Sequence, residues 1–300
     1  MKTKPKVIVI VGPTSSGKTE LSLKLAKKFN GVIISADSRQ IYKEMDIATA
    51  KTTRDQQQGI PHYMIDIIQP NEEFSLMFYQ NTVYNLLNKI TKSNLRNKQA
   101  TIPFIVGGTG LYVQAIVEGY KIPHAEPNQQ LREKLNNLSL EKLIIKLKKF
   151  DPKTTVDLKN KRRVIRAIEI LSTLGSTSKI KRQAPAFDFL QIGIKLPRET
   201  LYQRIEKKVE EMYKHGLVKE TKKLLSAGYD FSEPAFSALG YKHIRDYIKN
   251  KITLKAALEL MKKDTKHFAK RQLTWFKKNK KIHWIESYPE AESLIQNFLK

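Results

Sequence analysis

Five consecutive apolar residues, Val7-Ile8-Val9-Ile10-Val11, open the patterned part of the chain, and so short a run without alternation predicts a strand buried on both faces. The period then changes. From Thr19 to Phe29, Leu21, Leu25 and Phe29 recur at helical spacing, after which Val32 to Ala36 predicts a second buried strand. Tyr63 to Ile68 reads as a third strand and Ile102 to Val106 as a fourth. Between them Phe78, Val83, Leu86, Leu87 and Ile90 mark a helix from about Ser75 to Ile90. Strands alternating with helices predict an α/β chain built on a parallel sheet.

Past Glu118-Gly119 the strands stop. Pro123 and Pro127 are followed by helical periodicity through Leu131, Leu135 and Leu138 to Leu147, and a second helix is predicted from about Asn160 to Thr173. Its apolar stripe is Val164, Ile168 and Leu171, which leaves Arg162, Arg163 and Arg166 on a shared face away from the core. Gly175-Ser176-Thr177-Ser178 begins the way back. Phe187 to Leu196 restores a strand, Arg198 to Leu225 reads as one long helix with Leu201, Ile205, Met212 and Leu217 inward, and Ala227-Gly228 ends it. Lys255 to Lys278 is again helical, and Ile282 to Ile285 is a closing strand. The expected organisation is a sheet core from residues 1–120 and 186–300, with a helical insertion at 121–185.

The first strand runs directly into GPTSSGKT, residues Gly12 to Thr19, which is the complete phosphate-binding pattern G-x-x-x-x-G-K-[ST] in its strand-then-helix context. Glycines at both ends let successive N–H groups point inward, Lys18 adds a point charge, and the Thr19 hydroxyl can sit on Mg2+. The core is therefore expected to be a P-loop NTPase-like parallel sheet. The loop specifies a polyphosphate or diphosphate ligand and leaves open whether that ligand is a nucleotide. Ligands of open parallel sheets bind at the carboxyl ends of strands. That places Gly12 to Thr19, Asp37-Ser38-Arg39-Gln40 and Gly107-Gly108-Thr109-Gly110 on one rim. A phosphotransferase would carry an acid at the end of a later strand. Here Ile102 to Val106 runs straight into glycines. Asp37 is the stronger remaining carboxylate, whereas Asp66, between Ile65 and Ile67, fits a cap or a salt bridge equally well. His62 reads as a turn residue, and the six histidines show no metal-ligand spacing.

Charge narrows the partner. The chain of 300 residues has 55 Lys and Arg against 29 Asp and Glu, a formal +26, which favours a polyanion such as nucleic acid, although a lysine-rich proteome would account for part of it. The excess is concentrated in two places. Residues 151–185 hold nine basic and three acidic residues, and residues 262–281 hold nine and one, interleaved with Phe268, Trp275 and Phe276. Aromatics in a basic helix can stack on unpaired bases, but a buried stripe is the more ordinary reading. No cysteine is present, which rules out disulfides and thiolate chemistry, and no run approaches the roughly 20 apolar residues of a membrane span. A cytoplasmic protein without membrane contact is expected.

Taken together, the rim loops resemble a known family. GPTSSGKT, ISADSRQIYKEMDIATAK, PHYMIDIIQP, IVGGTGLY, LYQRIEKKVEEMYKHGL, LGYKHI and AKRQLTWF follow, in order and over nearly the whole chain, the pattern of bacterial tRNA dimethylallyltransferases. The resemblance implies transfer of a dimethylallyl group from dimethylallyl diphosphate to N6 of the adenosine at tRNA position 37, next to the anticodon, with release of diphosphate. It implies Mg2+ held at Thr19 and catalytic roles for Asp37 as the base and for Thr19 and Lys18. It implies a donor site of Gly12, Pro13, Thr14, Ser15, Ser16, Gly17, Lys18, Thr19 and Arg204. It also implies tRNA contacts from Asp37, Ser38, Arg39, Gln40, Thr109, Arg132, Arg162, Arg163, Arg166, Lys242 and Arg271, with the insertion serving as a tRNA-binding domain. The expected partners are the anticodon stem-loop and dimethylallyl diphosphate, and the expected state is a monomer. Where the family carries R-I-x-x-R, this chain has Arg204-Ile205-Glu206-Lys207-Lys208, so Lys208 stands at a catalytic arginine position without the planar fork of arginine. An isopentenyltransferase acting on free adenine nucleotide, a small-molecule P-loop kinase and a non-enzymatic RNA-binding module are the alternatives.

Overall fold

The computed structural model describes residues 4–96, 100–123, 125, 127–175 and 181–300. Two compact units divide the chain, Met1–Val117 with Pro185–Lys300, and Glu118–Ala184.

The larger unit begins with β1 (Lys6–Val11), α1 (Lys18–Lys28), β2 (Gly31–Ser35), β3 (His62–Tyr63), α2 (Leu76–Asn94), β4 (Ile102–Gly107) and α3 (Gly110–Val117). The smaller unit contains β5 (Tyr120–Lys121), α4 (Gln129–Asn136), α5 (Leu140–Phe150), α6 (Lys161–Leu174) and β6 (Lys181–Arg182). The larger unit resumes with β7 (Asp188–Ile194), α7 (Arg198–Lys214), α8 (Leu217–Ser226), the 3-10 turn Pro234–Ser237, α9 (Leu239–Ile248), α10 (Leu254–Phe276), β8 (Ile282–Ile285) and α11 (Tyr288–Leu299).

Six strands form one sheet in the order β3-β2-β4-β1-β7-β8, and every neighbouring pair is parallel. The central β1 shows why its sequence does not alternate. Val7, Val9 and Val11 face a core that includes Val83 and Leu87 of α2 and Val113 and Ile116 of α3. Ile8 and Ile10 face the opposite core, with Leu23 and Leu25 of α1 and Ala291 and Ile295 of α11. A strand covered by helices on both sides has no solvent face, so all of its positions are apolar. The expected α/β class and parallel sheet are therefore observed.

The structure differs from the sequence reading in three respects. The third strand pairs over only two residues, because Met64 and Asp66 adopt left-handed φ of 65° and 54° and turn the chain out of the ladder. Asp66 instead meets Lys51 Nζ at 2.5 Å, so it serves an ion pair. The single helix expected over 198–225 is two, divided at Gly216, whose φ of 97° no continuing helix can hold. The helices α3, α9 and α11 were not expected from the pattern. Ser176 to Ser178 of the expected return loop lie outside the described residues. Among the described residues no helix is long and apolar enough to cross a membrane.

Within the smaller unit, α4, α5 and α6 pack Leu135, Leu143, Leu147, Val164, Ile168 and Leu171 into a private core, and Asn128, Ser139 and Asn160 cap the three helices through their side chains. Glu169 of α6 is fully buried. It accepts from the Asn128 backbone N–H at 2.7 Å, from Arg132 Nε at 3.0 Å and from Arg166 Nη1 at 2.5 Å. Burial alone would raise the pKa of this carboxyl, but hydrogen bonds from Arg166, Asn128 and Arg132 outweigh it and hold the value below the usual glutamate range. Its stabilisation is therefore present above the ordinary glutamate pKa and lost as pH falls through the depressed value. Glu169→Ala is expected to cost about 1–2 kcal/mol by removing the buried acceptor of the Asn128 N–H and of two part-exposed arginines. Amide exchange across 127–175 should accelerate while β1 and β4 stay protected; unchanged exchange there would disprove the role.

Candidate active site

Residues 11–19 leave the sheet where β1 ends. A side chain at Gly12 would meet Ser16 Oγ at 2.8 Å, and Ser15 and Gly17 take φ of 61° and 92°, so the loop curls tightly into the N-terminus of α1. The Pro13 carbonyl accepts from Ser16 N at 3.2 Å and from Lys18 Nζ at 2.7 Å. Burial pushes the Lys18 ammonium down to about 8, and the negative charge of Asp37 opposes that shift. A buried positive charge beside a helix N-terminus favours an anion there.

The second and third rim loops are joined to each other. At Gly107 even a methyl group would collide with the Ala36 backbone, so β2 and β4 leave the sheet in close contact. Thr109 N donates to Ala36 O at 3.0 Å, Ser38 N donates to Thr109 Oγ1 at 2.9 Å, and Arg39 N donates to Asp37 Oδ1 at 2.8 Å. Asp37 thus stands at the end of β2 with one oxygen used by its own loop. The other has no protein partner among the described residues. Gln40 turns inward: its amide donates to the carbonyls of Thr49 and Ala50 at 3.4 and 3.3 Å, and Ser35 Oγ donates to its oxygen at 3.1 Å.

One helix distant in sequence locks this rim. Gln272 of α10 accepts from Thr14 N at 2.9 Å and donates to Gly108 O at 2.8 Å, so a single buried amide ties the phosphate loop to the glycine turn. Neither Gly108 nor Gly110 could carry a side chain, because Gln272 and Trp275 occupy the space. Nothing in the sequence marks Gln272 for this role, since its partners lie 164 and 258 residues away.

These loops surround a cavity of about 970 Å³, lined by Thr14 to Thr19, Asp37 to Gln40 and Gly107 to Gly110. From α7 come Arg204, Lys207 and Lys208, and from α10 come Arg271, Phe268 and Trp275. Gly12 and Pro13, expected in the donor site, are not part of the lining. Arg204 reaches the phosphate loop, its Nη1 lying 3.5 Å from where a Gly17 side chain would begin. Along α7 away from that end the wall turns apolar, with Val209 and Met212 facing the cavity together with Met261 and Ala48. Of the three aromatics in the basic helix, Phe276 is core, whereas Phe268 and Trp275 are exposed at 37% and 38% and line the cavity. His62 also lines it; burial lowers its pKa, countered by the Ile60 carbonyl at 2.8 Å.

Other expected contact residues lie elsewhere. Lys242 of α9 is outside the lining and pairs with Asp264 at 3.5 Å. Arg132, Arg162, Arg163 and Arg166 belong to the smaller unit. There Arg132 and Arg166 are engaged by Glu169, so Arg166 does not share the free face expected for it with the exposed Arg162 and Arg163.

No cluster of His, Cys, Asp or Glu suited to a protein-only metal cage occurs among the described residues. Ser16 Oγ is buried with no partner among the described residues, and Thr19 and Asp37 line the same cavity. A sparse set of hard oxygens beside an anion cradle suits Mg2+, which keeps waters and takes the rest of its shell from phosphate.

Fold and site together define a P-loop α/β protein built to hold a diphosphate beside a carboxylate, without the strand-end acid of a nucleotide hydrolase. Residues 40–279 match the family model described as IPP transferase, and residues 5–73 match that of isopentenyl transferase. The chain is 43% identical to the tRNA dimethylallyltransferase of Halothermothrix orenii over 98% of its own length and 93% of the relative's. The solved tRNA isopentenylpyrophosphate transferase of Bacillus halodurans superposes with a TM-score of 0.73 at 37% identity, over 99% of this chain and 96% of that one. A eukaryotic dimethylallyltransferase acting on tRNA gives 0.79 at 27% identity, over 94% of this chain and 74% of that one. The chain belongs to the IPP transferase family, among its bacterial tRNA dimethylallyltransferases.

Proposed function

We propose that the cavity transfers the dimethylallyl group of dimethylallyl diphosphate to N6 of the adenosine at tRNA position 37. The observation that carries this reading is the pairing of a complete phosphate loop with Asp37 in one cavity, while β4 ends in glycines. The backbone N–H groups of Ser15, Gly17, Lys18 and Thr19, the Lys18 ammonium and Arg204 hold the diphosphate, and the apolar wall at Val209 and Met212 receives the five-carbon chain. The N6–carbon bond forms as the carbon–oxygen bond to diphosphate breaks. The amine proton, acidified only as that bond forms, passes to the free oxygen of Asp37. The Thr19 hydroxyl would hold Mg2+, which would supply positive charge against the leaving diphosphate.

Ser38, Arg39, Gln40, Thr109 and Arg271 are assigned to the tRNA around the target base, which must leave its stack to reach the cavity. Arg162 and Arg163 are assigned to its phosphates, Arg132 and Arg166 to holding the fold that presents them, and Lys242 to the periphery. Lys208 keeps the positive charge of the family's arginine without its bidentate geometry. Residues 121–185 serve as the tRNA-binding domain, and the protein acts as a cytoplasmic monomer.

Incubation with dimethylallyl diphosphate, Mg2+ and unmodified tRNA should yield N6-dimethylallyladenosine, detected by nucleoside mass analysis. Parallel reactions with free AMP, ADP and ATP should yield none. Product from the free nucleotides but not from tRNA would replace this reading by that of a nucleotide isopentenyltransferase.

A further inference from the structure

The cavity wall at Ala48, Thr49 and Ala50 has an unusual support. It belongs to the connection between β2 and β3 and is not part of any helix or strand. Three successive backbone N–H groups at its start point at one carboxylate. Glu220 of α8 accepts from Asp46 N at 2.9 Å and Ile47 N at 2.7 Å through Oε2, and from Ala48 N at 3.1 Å through Oε1. Tyr241 Oη of α9 donates to the same Oε1 at 2.7 Å. The tyrosine is buried at the foot of α9, and burial followed by the Glu220 charge pushes its pKa far up, so it stays a donor.

The far end of the segment is held as firmly. Lys51 Nζ donates to Tyr42 O at 2.8 Å and to Asp46 Oδ1 at 2.6 Å. Between these anchors Ala50 takes a left-handed φ of 51°, which a non-glycine residue keeps only when its surroundings impose it. The carbonyls of Thr49 and Ala50 then meet the Gln40 amide, and Gln40 lies three residues from Asp37 on the same rim loop. Behind the wall, a side chain on Gly240 would come within 3.0 Å of Ala48 Cβ, so α9 leaves no slack.

We infer that Glu220 is a positioning residue for the transfer reaction: through three backbone N–H groups it sets the wall at 48–50 and, through Gln40, the loop that carries Asp37. The inference rests on the cavity being the transfer site. Glu220 touches neither substrate nor the reacting atoms. Its effect is therefore on the rate of the bound complex more than on its formation.

Glu220→Gln keeps the shape but offers an N–H₂ where N–H donors converge. Expected results are a kcat lowered about ten-fold or more, KM values for dimethylallyl diphosphate and tRNA within about three-fold of wild type, and partial recovery in Glu220→Asp. Amide exchange at residues 46–48 should rise at least about ten-fold in Glu220→Gln while β1 and β4 remain protected. Lys223→Ala, on the same helix as Glu220, removes an exposed pair with Glu44 and should change none of these. Unchanged kcat despite faster exchange at 46–48 would overturn the inference. So would loss of protection throughout the larger unit in both Glu220 variants, which would make Glu220 a residue of fold stability alone. A wild-type protein that transfers nothing to tRNA would instead bring down the proposed function, and this inference with it.

Discussion

Asp37→Asn is expected to lower single-turnover dimethylallyl transfer by about 10³-fold, within the usual range for removing a positioned general base. The amide keeps the acceptor that Arg39 N uses at 2.8 Å, so the rim loop holds its shape. What disappears is basicity at the oxygen left free. Because Ser38 and Thr109 remain bonded, tRNA affinity in filter binding should stay within about three-fold of wild type. Asp37→Ala should be as inactive but less clean, since it also strands the Arg39 N–H. A mutant retaining more than about a tenth of the wild-type rate would remove Asp37 as the base.

Lys18→Met is expected to separate function from stability. Replacing a charge-assisted contact by a thioether should weaken binding of dimethylallyl diphosphate by about 10²-fold, measured calorimetrically with Mg2+ present. The folded protein, however, should become more stable. Burial lowers Lys18 to about 8, below the ordinary lysine value, so holding the proton there costs on the order of 2–3 kcal/mol at neutral pH. Between about pH 8 and the unfolded lysine value the unfolded chain binds the extra proton, so wild-type stability rises with pH across that window. The Met variant should lack this contribution. Denaturant melts of both proteins at pH 7 and pH 9.5 test it, and a variant no more stable than wild type at pH 7 would refute the cost assigned to burial. Donor affinity of the wild type should likewise fall above pH 8 as Lys18 loses its charge.

How much of this could be read in advance depended on how local each signal was. The phosphate loop needs only residues 12–19 and the strand before them, because its geometry comes from glycine backbone freedom and adjacent N–H groups. Asp37 was legible because a carboxylate directly after a buried strand falls on the sheet's binding rim. The missing acid after β4 was equally plain. The two breaks in regular structure were not: apolar residues run through both the turn at Met64 to Asp66 and the joint at Gly216, so periodicity continued where the backbone did not.

The sequence by itself therefore determined the layered parallel sheet, the anion cradle and the carboxylate beside it, since each follows from neighbours along the chain. Only the tertiary structure decided which distant groups complete the cavity. Gln272 fastens the phosphate loop from 258 residues away, Trp275 fills the space above Gly110, and Glu220 gathers the N–H groups of residues more than 170 positions earlier. It also decided that Arg132 and Arg166 pair with the buried Glu169, although the spacing of Arg166 with Arg162 and Arg163 suits an open basic face. Such contacts depend on where whole helices come to rest. That placement is set by the sum of many weak packing contacts, which no single stretch of the sequence carries.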